Sequence, residues 1–166
     1  MMKLTVFIST IFSVIILSFF YCSLSHIHPY GLNQPSYSAK YKTQIIQIDA
    51  VHHGMKYSLD NFEVQAGEPV EICFTNKDEM RHNLLIISPG SLEIVGKAAD
   101  RMATTPKGVE KHWTPDIPEV LYVAPLIRLN ETYRLKFIAP ENPGDYPFVC
   151  TFPTHWRMMN GTMVVK

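Results

Sequence analysis

Cys150-Thr151-Phe152-Pro153-Thr154-His155-Trp156-Arg157-Met158-Met159, near the C-terminus, brings a thiol, an imidazole and a thioether into one short segment. Four residues separate Cys150 from His155 and three more precede Met159, so a tight loop can aim these side chains at one point. A soft thiolate, an imidazole and a weak thioether are donors of a blue-copper electron-transfer centre, which needs one more imidazole. The loop alone also admits a plainer reading. A buried structural cysteine, a surface histidine and two core methionines would produce the same letters, because soft side chains often do no more than fill cores.

Immediately upstream, Tyr146, Phe148 and Cys150 share one face of a strand by the period-two rule, so Cys150 arrives among aromatic neighbours that exclude water. Pro147 donates no ladder hydrogen bond, which predicts an edge position or a local break in pairing. Working outward, short strand-like segments recur between turn residues from Thr43 onward, the pattern of an all-β sandwich or barrel. Ile46, Ile48 and Ala50 alternate with polar residues, and Met55, Tyr57, Leu59, Phe62 and Val64 continue the pattern. Val70, Ile72 and Phe74 share a face, with Glu71, Cys73 and Thr75 on the other. Further strands are expected over Asn83–Ser88, Val120–Leu126, Thr132–Ile138, Asp145–Cys150 and Gly161–Lys166. One helix interrupts them: Ser91 can cap it, and Leu92, Val95, Ala99 and Met102 recur at helical spacing. The stretch from Thr104 to Pro118, rich in Pro, Gly and charge, reads as a long loop.

The missing imidazole has to come from a distant strand, and His82 stands where a turn meets a buried strand. His52 and His53 are adjacent and on a strand would face opposite sides, His26 and His28 lie in a tail, and His112 lies in the loop. Cys73 reads as a free strand cysteine; a Cys73–Cys150 disulfide is the one pairing that would abolish the site.

Fifteen basic and fifteen acidic side chains cancel, and no basic stripe occurs, so nucleic acid is not an expected partner. Three cysteines without a CxxC pair exclude a disulfide scaffold and a zinc ribbon. At the N-terminus, Lys3 precedes an apolar run from Leu4 to Tyr21, and Ser23 and Ser25 suit cleavage before His26. The run also touches the lower length limit of a spanning helix, so residues 1–25 read as a signal peptide or an N-terminal membrane anchor. Residues 26–43 read as a flexible tail or linker and 44–166 as the folded domain. If cleavage falls after Ser25, His26 and His28 could chelate Cu(II).

Val70 to Ile87, with Phe74-Thr75-Asn76 leading to His82-Asn83, and Tyr146 to Lys166, with the Cys150–His155–Met159 loop, resemble azurin-type cupredoxins. The resemblance implies a Greek-key β-sandwich with one short helical flap. It implies one type 1 copper ion held by His82, Cys150 and His155, with Met159 as the long axial ligand. It also implies that Asn83 and Thr151 hydrogen-bond around the cysteine, and that the carbonyl before the first histidine, here Arg81, approaches the metal; the family usually has Gly there.

Four protein donors leave no open position for substrate, which points to a carrier and away from an enzyme. Pro153, Trp156, Met80 and Met158 are the candidates for an apolar collar where the His155 edge reaches solvent and redox proteins such as cytochromes or dehydrogenases dock. The expectation is thus an exported one-electron carrier, periplasmic or on an extracytoplasmic membrane surface. The alternative is a copper storage or delivery protein without electron transfer.

Overall fold

Strand β1 (Gln44–Ala50) turns Ile48 and Ala50 into the core and leaves Gln47 exposed, the alternation expected of a half-buried strand. The computed structural model describes residues 42–166. The apolar N-terminal run, the tail as far as residue 41 and the His26–His28 chelate lie outside the described residues. After β1 come β2 (Asn61–Val64), β3 (Pro69–Asn76) and β4 (His82–Ile87). Helices α1 (Leu92–Ala103) and α2 (Pro106–Glu110) follow, then β5 (Val120–Ile127), β6 (Thr132–Ile138), β7 (Gly144–Val149) and β8 (Asn160–Val165).

The strands form two sheets, one ordered β1-β3-β6 and the other β2-β8-β7-β4-β5. β1 runs parallel to β3 and β2 parallel to β8, while the other pairings are antiparallel. The chain is therefore an all-β sandwich of the Greek-key kind. Ile48, Ile72 and Phe74 from the first sheet meet Leu84, Ile86, Phe148 and Met163 from the second in one core. Leu85, Ile87 and Val149 point the other way and pack with Val95 of α1 and with Trp156 in a second cluster. This is why β4 reads as an unbroken apolar run: it is covered on both faces. Gly96 is what lets α1 lie so close, since a Cβ there would come within 2.3 Å of the Trp156 indole.

Several expectations hold with small boundary shifts. β6 and α1 coincide with the predicted spans, although the Ser91 side chain makes no capping hydrogen bond. Cys73 and Cys150 are both free, and Cys73 lies on the face opposite Ile72 and Phe74, near Arg134. Pro147 pairs with Thr162 of β8, but the β4 ladder reaches only Phe148 and Val149, so pairing is interrupted where the imino acid stands.

Two expectations fail. Residues 52–59 do not form a strand: His53 and Met55 take left-handed backbone conformations, and only an isolated bridge between Ala50 and Tyr57 survives. The stretch read as a loop contains α2, which starts on Pro106, a residue already fixed at a helical φ whose missing N–H is not needed in a first turn. The ligand loop also contains a 3-10 turn, His155–Arg157, entered through Thr154 at φ 71°.

Candidate metal centre

Asn76 at the end of β3 is fully buried, and its amide organises the turn into β4. It donates to the carbonyls of Met80 (2.7 Å) and Ile127 (3.1 Å), while its oxygen accepts the Asp78 N–H at 2.9 Å. That turn delivers His82 to the first position of β4, opposite Ile127 and 1% exposed. Its Nε2 lies 2.9 Å from the buried Asp78 carboxylate and its Nδ1 lies 3.8 Å from Cys150 Sγ. A carboxylate at Nε2 requires a proton there, which leaves the Nδ1 lone pair toward the sulfur.

The second segment is held as tightly. The Cys150 N–H donates to the Met159 carbonyl (3.0 Å), and the Met159 N–H donates to the His155 carbonyl (2.8 Å). These bonds close the loop and place His155 Nδ1 3.6 Å from Cys150 Sγ. The donor atoms of His82, Cys150 and His155 all lie within 4.8 Å of one another, and all three residues are buried. Metal–sulfur and metal–nitrogen bonds of about 2.3 and about 2.0 Å, opened at about 120°, would separate S from N by roughly 3.7 Å. The observed 3.6 and 3.8 Å fit one ion in that plane without rearrangement. Met159 is fully buried beside Cys150 in the main core. Arg81 is exposed.

Asn83 and Thr151 tie the two segments together. Asn83 Nδ2 donates to Thr151 Oγ1 and the Thr151 N–H donates to Asn83 Oδ1, each at 2.8 Å. Thr151 Oγ1 donates in turn to the Trp113 carbonyl (2.6 Å), and the Tyr57 hydroxyl donates to the Asn83 carbonyl (2.7 Å). Bonds of this kind fix ligand orientation before a metal arrives.

The titration chemistry agrees with a metal site. Burial pushes the Cys150 thiol up to about 12, against the opposing pull of hydrogen bonds from the Asn83 and Phe152 backbones. A thiol so placed ionises only when a cation replaces its proton. Burial, then the neighbouring His82, lowers His155 to about 4, so it is a neutral donor at pH 7. Burial opposes ionisation of Asp78, but hydrogen bonds from His82 and from the backbones of His53 and Glu79 outweigh it and hold the carboxyl below its ordinary range. For the metal-free protein this sets a direction. Folded His155 resists protonation while the unfolded chain accepts a proton near pH 6.5. Chemical-denaturant unfolding should therefore show stability falling as pH drops from about 6.5 toward about 4. A shallower fall for His155→Gln than for the parent over this range would assign the difference to His155, since the carboxyls held below their ordinary range contribute to both.

The collar needs revision. Met80 and Met158 are 40% and 60% exposed and Pro153 is partly exposed, but Trp156 is only 4% exposed. Its indole faces inward onto α1 and donates to Asp100 at 3.1 Å, because the 3-10 turn rotates consecutive residues to different sides. His155 itself is 3% exposed, with the Phe152 ring centred 5.0 Å away, so its edge does not open broadly to solvent. Sequence reasoning also missed Asn76, Tyr57 and Asp78. Asp78 left a signal as an acid four residues before a candidate ligand histidine, and Asn76 stood in the Phe74-Thr75-Asn76 segment without a role assigned to it.

A family model described as copper binding proteins of the plastocyanin/azurin family matches residues 44–166. Auracyanin-A of Chloroflexus aurantiacus is 28% identical over 122 residues, covering 73% of this chain and 74% of that protein. Auracyanin-B of the same organism is 25% identical over 125 residues, covering 74% of this chain and 52% of that protein, about half its length. The solved structure of auracyanin A, titled a "blue" copper protein from a green thermophilic photosynthetic bacterium, superposes with a TM-score of 0.66 at 26% identity. That match covers 75% of this chain and 100% of the other.

Proposed function

The chain belongs to the plastocyanin/azurin family of copper-binding proteins, and from that premise we propose that it is an exported one-electron carrier whose copper is held by His82, Cys150, His155 and Met159. Its cofactor is one type 1 copper ion. The observation that carries the reading is the buried triangle of one sulfur and two Nδ1 atoms at metal-bridging distances. When bound, the ion supplies a single-electron couple between Cu(II) and Cu(I). The protein's part is to hold its donors still. The Asn83–Thr151 bonds lock the two ligand segments, and Asp78 fixes the His82 ring. The aromatic core around Cys150 keeps water out. Donors that do not move between oxidation states keep reorganisation small, which favours transfer over catalysis or release.

Residues 44–166 form the copper domain in this reading, and the N-terminal apolar run directs export or anchors the domain at an extracytoplasmic membrane face. Redox proteins such as cytochromes or dehydrogenases dock on the segments that bring Met80 and Met158 to the surface.

Cyclic voltammetry of the copper-loaded protein tests carriage. A reversible one-electron wave with copper retained through repeated cycles is expected; copper loss on reduction would instead identify a storage or delivery protein. Met158→Glu places a charge at an exposed position and should slow electron self-exchange about tenfold while leaving the visible spectrum unchanged. An unchanged exchange rate would remove Met158 from the docking face.

A further inference from the structure

The turn after β1 carries chemistry that the copper site does not use. Adjacent histidines on a strand diverge, but His53 sits at φ 54°, and this left-handed residue swings both rings to one side. The His52 and His53 ring centroids are 3.6 Å apart. A bulky non-glycine residue in this conformation is uncommon and costs free energy, so the surroundings must hold it there. They do so through Asp78, whose Oδ1 accepts the His53 N–H at 3.1 Å, and through the turn bonds Val51 N–H to Lys56 (3.0 Å) and Gly54 N–H to Val51 (3.1 Å). His52 Nδ1 lies 3.8 Å from the same Oδ1. Donor atoms from His52, His53 and Asp78 all fall within 4.8 Å of one another. The two histidines are exposed and the carboxylate is 2% exposed, so the cluster opens to solvent on one side and is anchored on the other.

We infer that His52, His53 and Asp78 form a second metal site, for a borderline divalent cation of the Zn2+ type, joined to the copper centre through the shared Asp78 carboxylate. Two imidazoles and one carboxylate are a donor set that Zn2+ accepts, with a solvent position remaining. The linkage follows from the two oxygens of Asp78. Oδ2 accepts from His82 Nε2 while Oδ1 faces the two surface histidines. A cation on Oδ1 draws negative charge away from Oδ2, so the His82 ring donates less electron density through Nδ1. Cu(II) loses more by this than Cu(I), and the reduction potential rises when the second site fills. The coupling rests on His82 being a copper ligand; occupancy of the second site does not.

The test uses the full chain loaded with copper, titrated with zinc sulfate in a calorimeter and then examined by voltammetry with and without zinc. His52→Gln/His53→Asn is the comparison. Both positions are exposed, and Asn tolerates the left-handed backbone at 53. The parent should bind one zinc ion more than the double variant, or bind it at least about tenfold more tightly, and its potential should rise on zinc addition while the variant's stays fixed. Any zinc held by His26, His28 or His112 is common to both proteins and cancels in the comparison. Equal zinc binding by the two proteins would overturn the site. Preferential zinc binding by the parent without a potential shift would overturn the link through Asp78. A copper-loaded protein lacking a blue band but still binding zinc selectively would indict the copper assignment and not the zinc site.

Discussion

Cys150→Ser is expected to abolish the intense visible charge-transfer band of the copper-loaded protein. The band requires a thiolate sulfur bound to Cu(II), and a serine hydroxyl is a hard, un-ionised donor that cannot supply it. Cys150 is fully buried between Tyr57, Phe148 and the ligand loop, so the variant leaves a small polar group in a dry place. The backbones of Asn83 and Phe152, which hydrogen-bond to the sulfur, can satisfy that group. The fold should therefore survive with a stability loss of about 1–2 kcal/mol. Copper affinity should fall by more than the roughly 10- to 100-fold typical of losing an outer partner, because here a direct donor is lost. Visible absorption, competition with a chelator and far-UV circular dichroism separate these effects. A blue band retained by a folded Cys150→Ser protein would refute the centre built on His82, Cys150 and His155.

The second large effect is expected for Asn83→Ala. Asn83 donates to and accepts from Thr151 at 2.8 Å in each direction, across 68 residues of chain and with no exposure to water. Truncation removes both bonds and strands the buried Thr151 N–H, whose unmet desolvation costs about 1–3 kcal/mol beyond the bonds themselves. Thr151 Oγ1 keeps its bond to the Trp113 carbonyl, so the loop should loosen without detaching. A total loss of about 2–4 kcal/mol in urea unfolding of the metal-free protein is expected, with copper affinity reduced about 10-fold or more. Adding Thr151→Ala to Asn83→Ala should cost less than the sum of the two single changes, since both break the same network. Additive costs would mean that the bonds do not act as one clasp.

Much of this centre was legible in the chain because its parts are local. The Cys150–His155–Met159 spacing is a loop length, and the Tyr146–Phe148–Cys150 face follows from strand alternation; the structure keeps both. His82 was found from its place between a turn and an apolar strand. Asp78 was harder to see. Its role depends on Asn76 folding the turn so that an acid four residues upstream of His82 meets the ring edge. Trp156 was misread for a related reason: hydrophobic residues flanking a ligand look alike in sequence whether they face a partner or a helix. Only the packing of α1, with a glycine at position 96 beneath the indole, decides between them.

By itself, the sequence determined the strand series, the helix after Ser91 and the set of soft donors that the loop and one distant histidine could offer. These rest on periodicity and spacing, which the backbone imposes residue by residue. Tertiary structure alone decided which donors meet and what supports them. It turned two histidines expected on opposite faces into a pair on one side through one left-handed residue, and it buried Asp78 between that pair and His82. Such outcomes depend on contacts between segments distant in the chain and on single backbone conformations, neither of which leaves a periodic trace in the order of residues.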